Sequence, residues 1–323
     1  MFRQFDVNKL VTVFGGSGFV GRHVVRALAK RGYRIRAAVR RPDLAGHLQP
    51  LGRVGQIHAV QANLRYPASV EAAVRDADAV VNLVGVLFQR GRQRFDDVHA
   101  RGAETVAQAA AGLNVPLVHV SALGADETSP SLYARSKAMG EKLVLAVKPD
   151  ATIFRPSIIF GPEDSFFNRF ASMARMSPML PLIGGGATRF QPVFAGDVAV
   201  AVAEAVDGKT KPGTIYELGG PEILSFKELM QYLLAEIGRR RVLLPVPFLL
   251  AEIMATFTGL LPKPPLTADQ VSLLKRDNVV SEEARRKGRT LAELGIEPVS
   301  LQVIAPSYLW RYRKTGQFGD RLA

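Results

Sequence analysis

The sequence predicts an α/β fold: a doubly wound parallel sheet with a smaller C-terminal α+β lobe. Three observations carry this. Apolar, β-branched runs alternate with helical runs through the first half. A glycine-rich turn joins the first of these runs to a helix. Beyond Pro156 the alternation gives way to glycine- and proline-rich stretches and shorter helices.

Taken in order, the strand-like runs are Leu10–Phe14, Arg34–Val39, Ile57–Gln61, Ala79–Val84, Leu117–Val120 and Thr152–Phe154. The helical runs between them are Phe19–Arg31, Ala68–Arg75, Phe95–Leu113 and Leu132–Val147, each with apolar residues at helical spacing. The expected division is 1–160 for the sheet domain and 161–323 for the smaller lobe, with the chain free to cross between them. In the second part, Ser225 and Glu228 form a capping box that opens a helix through Ile237. A Pro-bounded apolar run, Phe248–Leu261, has two readings. It is either a buried core helix or a surface that docks on a membrane or a partner, with Arg239, Arg240 and Arg241 just upstream facing anionic groups.

Composition bounds the function classes. Among 323 residues, 42 Lys and Arg against 29 Asp and Glu give a formal charge of +13, which implies acidic company. No helix-turn-helix, zinc-finger or aromatic RNA platform presents these cations, so nucleic acid is not expected. With no cysteine there is no thiolate nucleophile, disulfide or Cys-based metal site. The histidines at 23, 47, 58, 99 and 119 are not spaced with carboxylates as a metal site requires, so no metal is expected, and His99 reads as structural. The first strand begins near Lys9, which leaves no room for a signal peptide, and no apolar run reaches the length of a spanning helix.

The most informative stretch is Gly15-Gly16-Ser17-Gly18-Phe19-Val20-Gly21, with a strand before it and an amphipathic helix after it. In that context the glycines have separate tasks. Gly15 permits the tight turn, Gly18 lets backbone amides approach a pyrophosphate, and Gly21 lets the helix pack close to the strand. This is a Rossmann-type dinucleotide site. At the end of the second strand, where an acidic residue would bond the ribose hydroxyls of NAD, the chain has Arg40-Arg41, and a guanidinium suits a 2′-phosphate. The expected cofactor is therefore NADP(H).

The glycine loop, Asn63-Leu64, Val81-Asn-Leu83-Val84-Gly85, Tyr133-Ala-Arg-Ser-Lys137, Arg155-Pro156-Ser-Ile158-Ile-Phe-Gly161-Pro162 and Gln191 to Ala199 together resemble the extended and atypical short-chain dehydrogenases/reductases, over residues 9 to about 200. The resemblance implies that Ser17, Phe19, Val20, Asn63, Leu64, Leu83, Val84, Gly85, Ser121, Pro156 and Ile158 join the glycines and arginines around the cofactor. Tyr133 and Lys137 are the catalytic candidates. They lie four residues apart on one helix face, where an ammonium favours phenolate. The position where active relatives carry a Ser or Thr falls on Leu123, in Ser121-Ala-Leu123.

One branch of the family combines an intact loop, Tyr-x-x-x-Lys and Ser-x-Leu: the nucleotide-binding accessory subunits of respiratory complex I, NADH:ubiquinone oxidoreductase. The stretches Leu261–Gln270 and Leu274–Val280 also look like that branch. It implies a structural NADP(H), a Tyr133–Lys137 pair that is a vestige, and neighbouring complex I subunits where the hydrophilic and membrane arms join. It further implies an anionic membrane surface nearby and a peripheral place on the cytoplasmic side of a bacterial inner membrane. The tail with Tyr308, Trp310, Arg311, Tyr312 and Arg313 would suit such an interface or pack on its own lobe. The alternative is an active NAD(P)-dependent reductase, epimerase or dehydratase on a nucleotide-sugar or similar polar substrate.

Overall fold

The computed structural model describes residues 9–258 and 266–316. Residues 259–261 of the apolar run, and 261–265 of the Leu261–Gln270 stretch, lie outside the described residues.

The chain forms two compact units. The first takes Met1–Pro156, Ala195–Leu218 and Glu282–Glu297; the second takes Ser157–Phe194, Gly219–Ser281 and Pro298–Ala323. In the first unit, β1 (Leu10–Phe14), β2 (Arg34–Val39), β3 (Ile57–Gln61), β4 (Ala79–Asn82), β5 (Leu117–Val120) and β6 (Thr152–Pro156) form a parallel sheet. Its seventh strand, β11 (Ile215–Leu218), comes from beyond residue 160 and pairs with β6 from Ile215↔Ile153 to Leu218↔Pro156. The order β11-β6-β5-β4-β1-β2-β3 reverses direction between β1 and β4. At such a switch point a crevice opens at the carboxyl ends of the strands, where doubly wound sheets bind ligands.

The apolar strands are buried because helices cover both faces. Helix α1 (Phe19–Lys30) buries Val24, Val25 and Leu28 and packs beside α6 (Ala195–Val206). Helices α2 (Pro67–Val74), α3 (Arg101–Gly112) and α4 (Leu132–Val147) pack in succession, with Val70, Val106 and Val144 in one shared core.

Two of the boundaries that differ from the sequence expectation have a local structural cause. Strand β4 stops at Asn82 rather than Val84, because the Asn82 side chain takes the Val84 amide at 3.1 Å and ends the ladder. The helix expected from Phe95 opens instead with a π-turn, Asp96–Ala100, before α3 begins.

The second unit is built on an aromatic-rich core. Phe160 of β7 (Ile159–Phe160), Phe167 of α5 (Phe167–Met176) and Phe226 and Leu229 of α7 (Phe226–Glu236) are fully or almost fully buried there. Helix α7 carries the expected capping box: Ser225 Oγ accepts from Glu228 N at 3.2 Å, and Glu228 Oε2 accepts from Ser225 N at 2.7 Å. Strands β8 (Met179–Ile183) and β13 (Val242–Val246) pair in parallel. Helix α8 (Phe248–Thr258) follows, and it is not the all-round core helix that its composition allows. Ala251 and Ala255, four residues apart, make its buried face with Ile183, Val246 and Val271, while Leu249, Leu250, Ile253 and Met254 are exposed.

The aromatic tail packs on its own unit. Tyr308 is buried and donates to Asp164 Oδ2 at 2.7 Å, Arg311 bonds Pro162 O and Asn168 Oδ1, and Arg313 pairs with Glu236. Of the residues named for an interface, Trp310, at 37%, and Arg311 remain exposed.

Candidate functional site

The glycine turn has the geometry its sequence requires. Gly15 sits at φ +78°, a conformation L side chains rarely adopt, and its amide bonds Ala38 O at 3.1 Å. A Cβ on Gly21 would lie 2.2 Å from Gly15 O and 2.6 Å from Gly16 O, so no other residue lets α1 start so close beneath β1. Gly18 caps α1 without a side-chain bond, and the first turn has no acidic residue. Its amides are thus left to an anion, with Ser17, Phe19 and Val20 partly exposed beside them. Leu83 and Val84 form the opposite wall, with Val84 Cγ2 3.3 Å from where a Gly15 Cβ would be. These features fit a dinucleotide's pyrophosphate.

The two arginines after β2 part company. Arg41 is held by Asp43, through Nε at 2.9 Å and Nη2 at 2.6 Å, which keeps its guanidinium above its ordinary pKa. Arg40 is exposed and has no partner among the described residues. At the end of β3, Asn63 Oδ1 accepts from Arg65 N at 3.2 Å in a tight turn, and Leu64 is buried in the core against Gly102. Asn63 is thus held in order at the strand end, while the Leu64 side chain serves the fold.

The proton-handling candidates gather under Gly85, which has no side chain to cover them: its missing Cβ would lie 3.3 Å from Lys137 Nζ and 3.7 Å from His99 Nε2. Ser131 caps α4, and on that helix Tyr133, Lys137 and Glu141 recur every four residues. Lys137 Nζ donates to Val120 O at 3.3 Å. Burial pushes the ammonium down to about 8, with the charge of Glu141 acting the other way. Tyr133 is half-buried, edge-on to Phe95 at 5.7 Å and to His99 at 5.3 Å.

His99, structural by its sequence context, holds this cluster together. Nε2 accepts from Val86 N at 3.0 Å, so Nδ1 carries the hydrogen and donates to Ser136 Oγ at 2.9 Å. Burial and the Lys137 charge drive its pKa down to about 2, so the ring is neutral. The π-turn that carries His99 lies so close to α4 that a Cβ on Gly140 would meet His99 O at 2.1 Å. No sequence signal marked Gly140, because glycine inside a helix carries no sign of what approaches it.

At the end of β5, Leu123 occupies the expected hydroxyl position, buried, with its amide donating to Pro156 O at 2.9 Å. Ser121 is 5% exposed, and its Oγ is buried without a hydrogen-bond partner among the described residues. In the second unit, Asn278 Oδ1 accepts from Ile158 N at 3.1 Å and from Ser157 Oγ at 2.7 Å, fixing the segment after β6. Asn278 lies in the Leu274–Val280 stretch noticed in the sequence, which gives that stretch a mechanical reason. Among the described residues no group of histidines and acids could hold a metal ion.

Residues 11–219 match the NAD dependent epimerase/dehydratase family. A mitochondrial NADH dehydrogenase (ubiquinone) 1 alpha subcomplex subunit 9 from Arabidopsis thaliana is 34% identical, covering 97% of this chain and 81% of that protein. The mitochondrial NADH-ubiquinone oxidoreductase 40 kDa subunit of Neurospora crassa is 31% identical, covering 95% and 80%. Among solved structures, an NADPH-dependent quinone oxidoreductase from Escherichia coli superposes with a TM-score of 0.73 at 20% identity, covering 93% of this chain and 99% of that one. That likeness is one of fold.

Proposed function

The chain belongs to the NAD dependent epimerase/dehydratase family, and from that premise we propose that it is an accessory subunit of a respiratory NADH:ubiquinone oxidoreductase that retains NADP(H) without turning it over. The observation that carries this reading is an intact nucleotide groove beside a closed proton site. A bound nicotinamide would supply a hydride donor or acceptor, and turnover would then need a hydroxyl to polarise the partner carbonyl and a route for the proton. Position 123 offers an isobutyl group instead, Ser121 Oγ is sealed in the interior, and neutral His99 has both nitrogens engaged. Tyr133 and Lys137 keep the shape of a catalytic pair and lack that surrounding apparatus.

The preference for NADP(H) over NAD(H) rests on Arg40, whose guanidinium is available to a 2′-phosphate. A cofactor held in this way acts on stability. At a thousandfold excess over its dissociation constant it contributes about 4 kcal/mol to the folded state.

Other subunits of the complex are the proposed partners, at the junction of its hydrophilic and membrane arms and against an anionic lipid surface. Support comes from the exposed Leu249, Leu250, Ile253 and Met254 of α8 and from Met176, next to a chain segment with three consecutive arginines, Arg239 to Arg241. No helix among the described residues is long and apolar enough to cross a membrane, so the proposed place is peripheral, on the cytoplasmic face of a bacterial inner membrane.

The test is retention without consumption. The purified chain should carry NADP(H) through gel filtration, and bound NADPH should keep its nicotinamide absorbance when incubated with a panel of aldehydes, ketones and nucleotide-sugars. Steady oxidation that disappears in Tyr133→Phe would instead establish an active reductase.

A further inference from the structure

On the β5 run two buried polar atoms are left over by everything described so far: His119 Nε2 and Ser121 Oγ, neither with a hydrogen-bond partner among the described residues. Asn82 fixes the tautomer of the imidazole. Its Oδ1 accepts from Val84 N at 3.1 Å, so its Nδ2 donates to His119 Nδ1 at 3.2 Å, and the ring hydrogen lies on Nε2. Ser121 continues the extended run of β5, with its amide on Phe154 O at 2.7 Å. His119 and Ser121 are two residues apart on that run, so their side chains leave the same face of the sheet. Val120, between them, gives its carbonyl to Lys137 Nζ.

A ring N–H and a hydroxyl therefore belong to the two residues that flank, along the chain, the one whose carbonyl takes an ammonium with one long bond. A buried donor left unpaired is costly, so such groups ordinarily share a water. Among the described residues no carboxylate bonds these groups. Glu141, whose charge acts on Lys137 from the same helix, is already held by Arg155, through Nε at 2.9 Å and Nη2 at 2.5 Å. His99, on the π-turn, is neutral and fully bonded, and Tyr133 is one helical turn away on α4.

We infer that His119 Nε2 and Ser121 Oγ hold a buried water against Lys137 Nζ, and that this water site keeps the lysine cationic where it faces Gly85. The water accepts from Nε2–H and from one Nζ–H and donates to Ser121 Oγ, which is the three partners typical of buried waters. His119 is thus a positioning residue acting through Lys137. It stays neutral itself, because burial and the Lys137 charge push its pKa to about 3. The inference deepens the cofactor reading, since a cationic Lys137 is what the hydroxyls of a nicotinamide ribose would meet. Its own evidence comes from the chain without nucleotide.

The experiment is a carbon-13 NMR titration of Lys137 in the full chain carrying labelled lysine, the resonance being identified by its loss in Lys137→Arg. Wild type, His119→Leu, His119→Gln and Ser121→Ala are compared. The wild-type midpoint is expected near 8. In His119→Leu it falls by about one pH unit, a tenfold change in the ionisation constant. Ser121→Ala moves it less in the same direction, and His119→Gln, whose amide restores a donor, keeps it with the wild type. An unmoved midpoint in His119→Leu, or an equal fall in His119→Gln, overturns the inference. Should His119→Leu not fold, Ser121→Ala decides by the same criterion. NADPH titration of the wild-type chain, run in parallel, separates the two ideas: failure to bind sinks the cofactor reading and does not alter the lysine midpoint.

Discussion

At the scale of single residues, neighbours decide which groups are available for function. In the sequence Arg40 and Arg41 both suit a 2′-phosphate, with Arg41 the one more readily idle; in the structure Asp43, two residues on, occupies Arg41. Arg40→Ala should therefore weaken NADPH by about tenfold or more, as expected for a charge-assisted hydrogen bond, and leave NADH nearly unchanged. Arg41→Ala should change either affinity less than about threefold, and fluorescence titration of both nucleotides reads the difference. The buried histidines make a separate prediction about pH. His99 and His119 have folded values of about 2 and about 3, whereas an unfolded histidine titrates near 6.5. Below that pH the unfolded chain takes up protons that the native chain refuses, so stability is complete above 6.5 and falls as the solution is acidified toward 3. The slope is about 2.7 kcal/mol per pH unit for the two rings together. Denaturant unfolding at several pH values should show it, and His119→Gln should roughly halve it.

Elements were more legible than contacts. Strand-helix alternation located all six strands of the first half because apolar, β-branched runs covered on both faces have no competing local preference. The capping box of α7 was equally readable, being a local hydrogen-bond exchange, and Ser225→Ala should cost about 1 kcal/mol in thermal or denaturant unfolding. What the sequence could not carry was the approach of one element to another. The π-turn at Asp96–Ala100 and its contact with Gly140 depend on two segments meeting, and β11 is a four-residue run that gains its role from pairing with β6. Gly140→Ala should force the His99 backbone away from α4 and destabilise the chain by about 1–3 kcal/mol, lowering its melting temperature. Helix α8 makes the same point. An apolar run reads either as core or as a docking face until packing shows that Ala251 and Ala255 take the buried side and Leu249 is left 72% exposed.

At the scale of the whole molecule, the cofactor groove and the likeness to known subunits bear on one account. The groove was the most legible part of the candidate site, since Gly15, with its positive φ, and Gly21, with no room for a Cβ, express backbone requirements that other residues do not meet. The closed proton site was half legible: Leu123 could be seen in the sequence, while the sealing of Ser121 and the full engagement of His99 required the fold. A subunit that retains its nucleotide should be steadied by it. Removing NADPH is expected to lower the melting temperature of the isolated chain, and re-addition should restore it. The account stands most directly on the company the chain keeps. The deciding measurement is the migration of the tagged full-length chain when native membranes are solubilised in mild detergent and separated on a density gradient. The account predicts that it travels with NADH:ubiquinone oxidoreductase activity and with the subunits of that complex; recovery of the chain wholly in the light, free fractions, away from that activity, would contradict it.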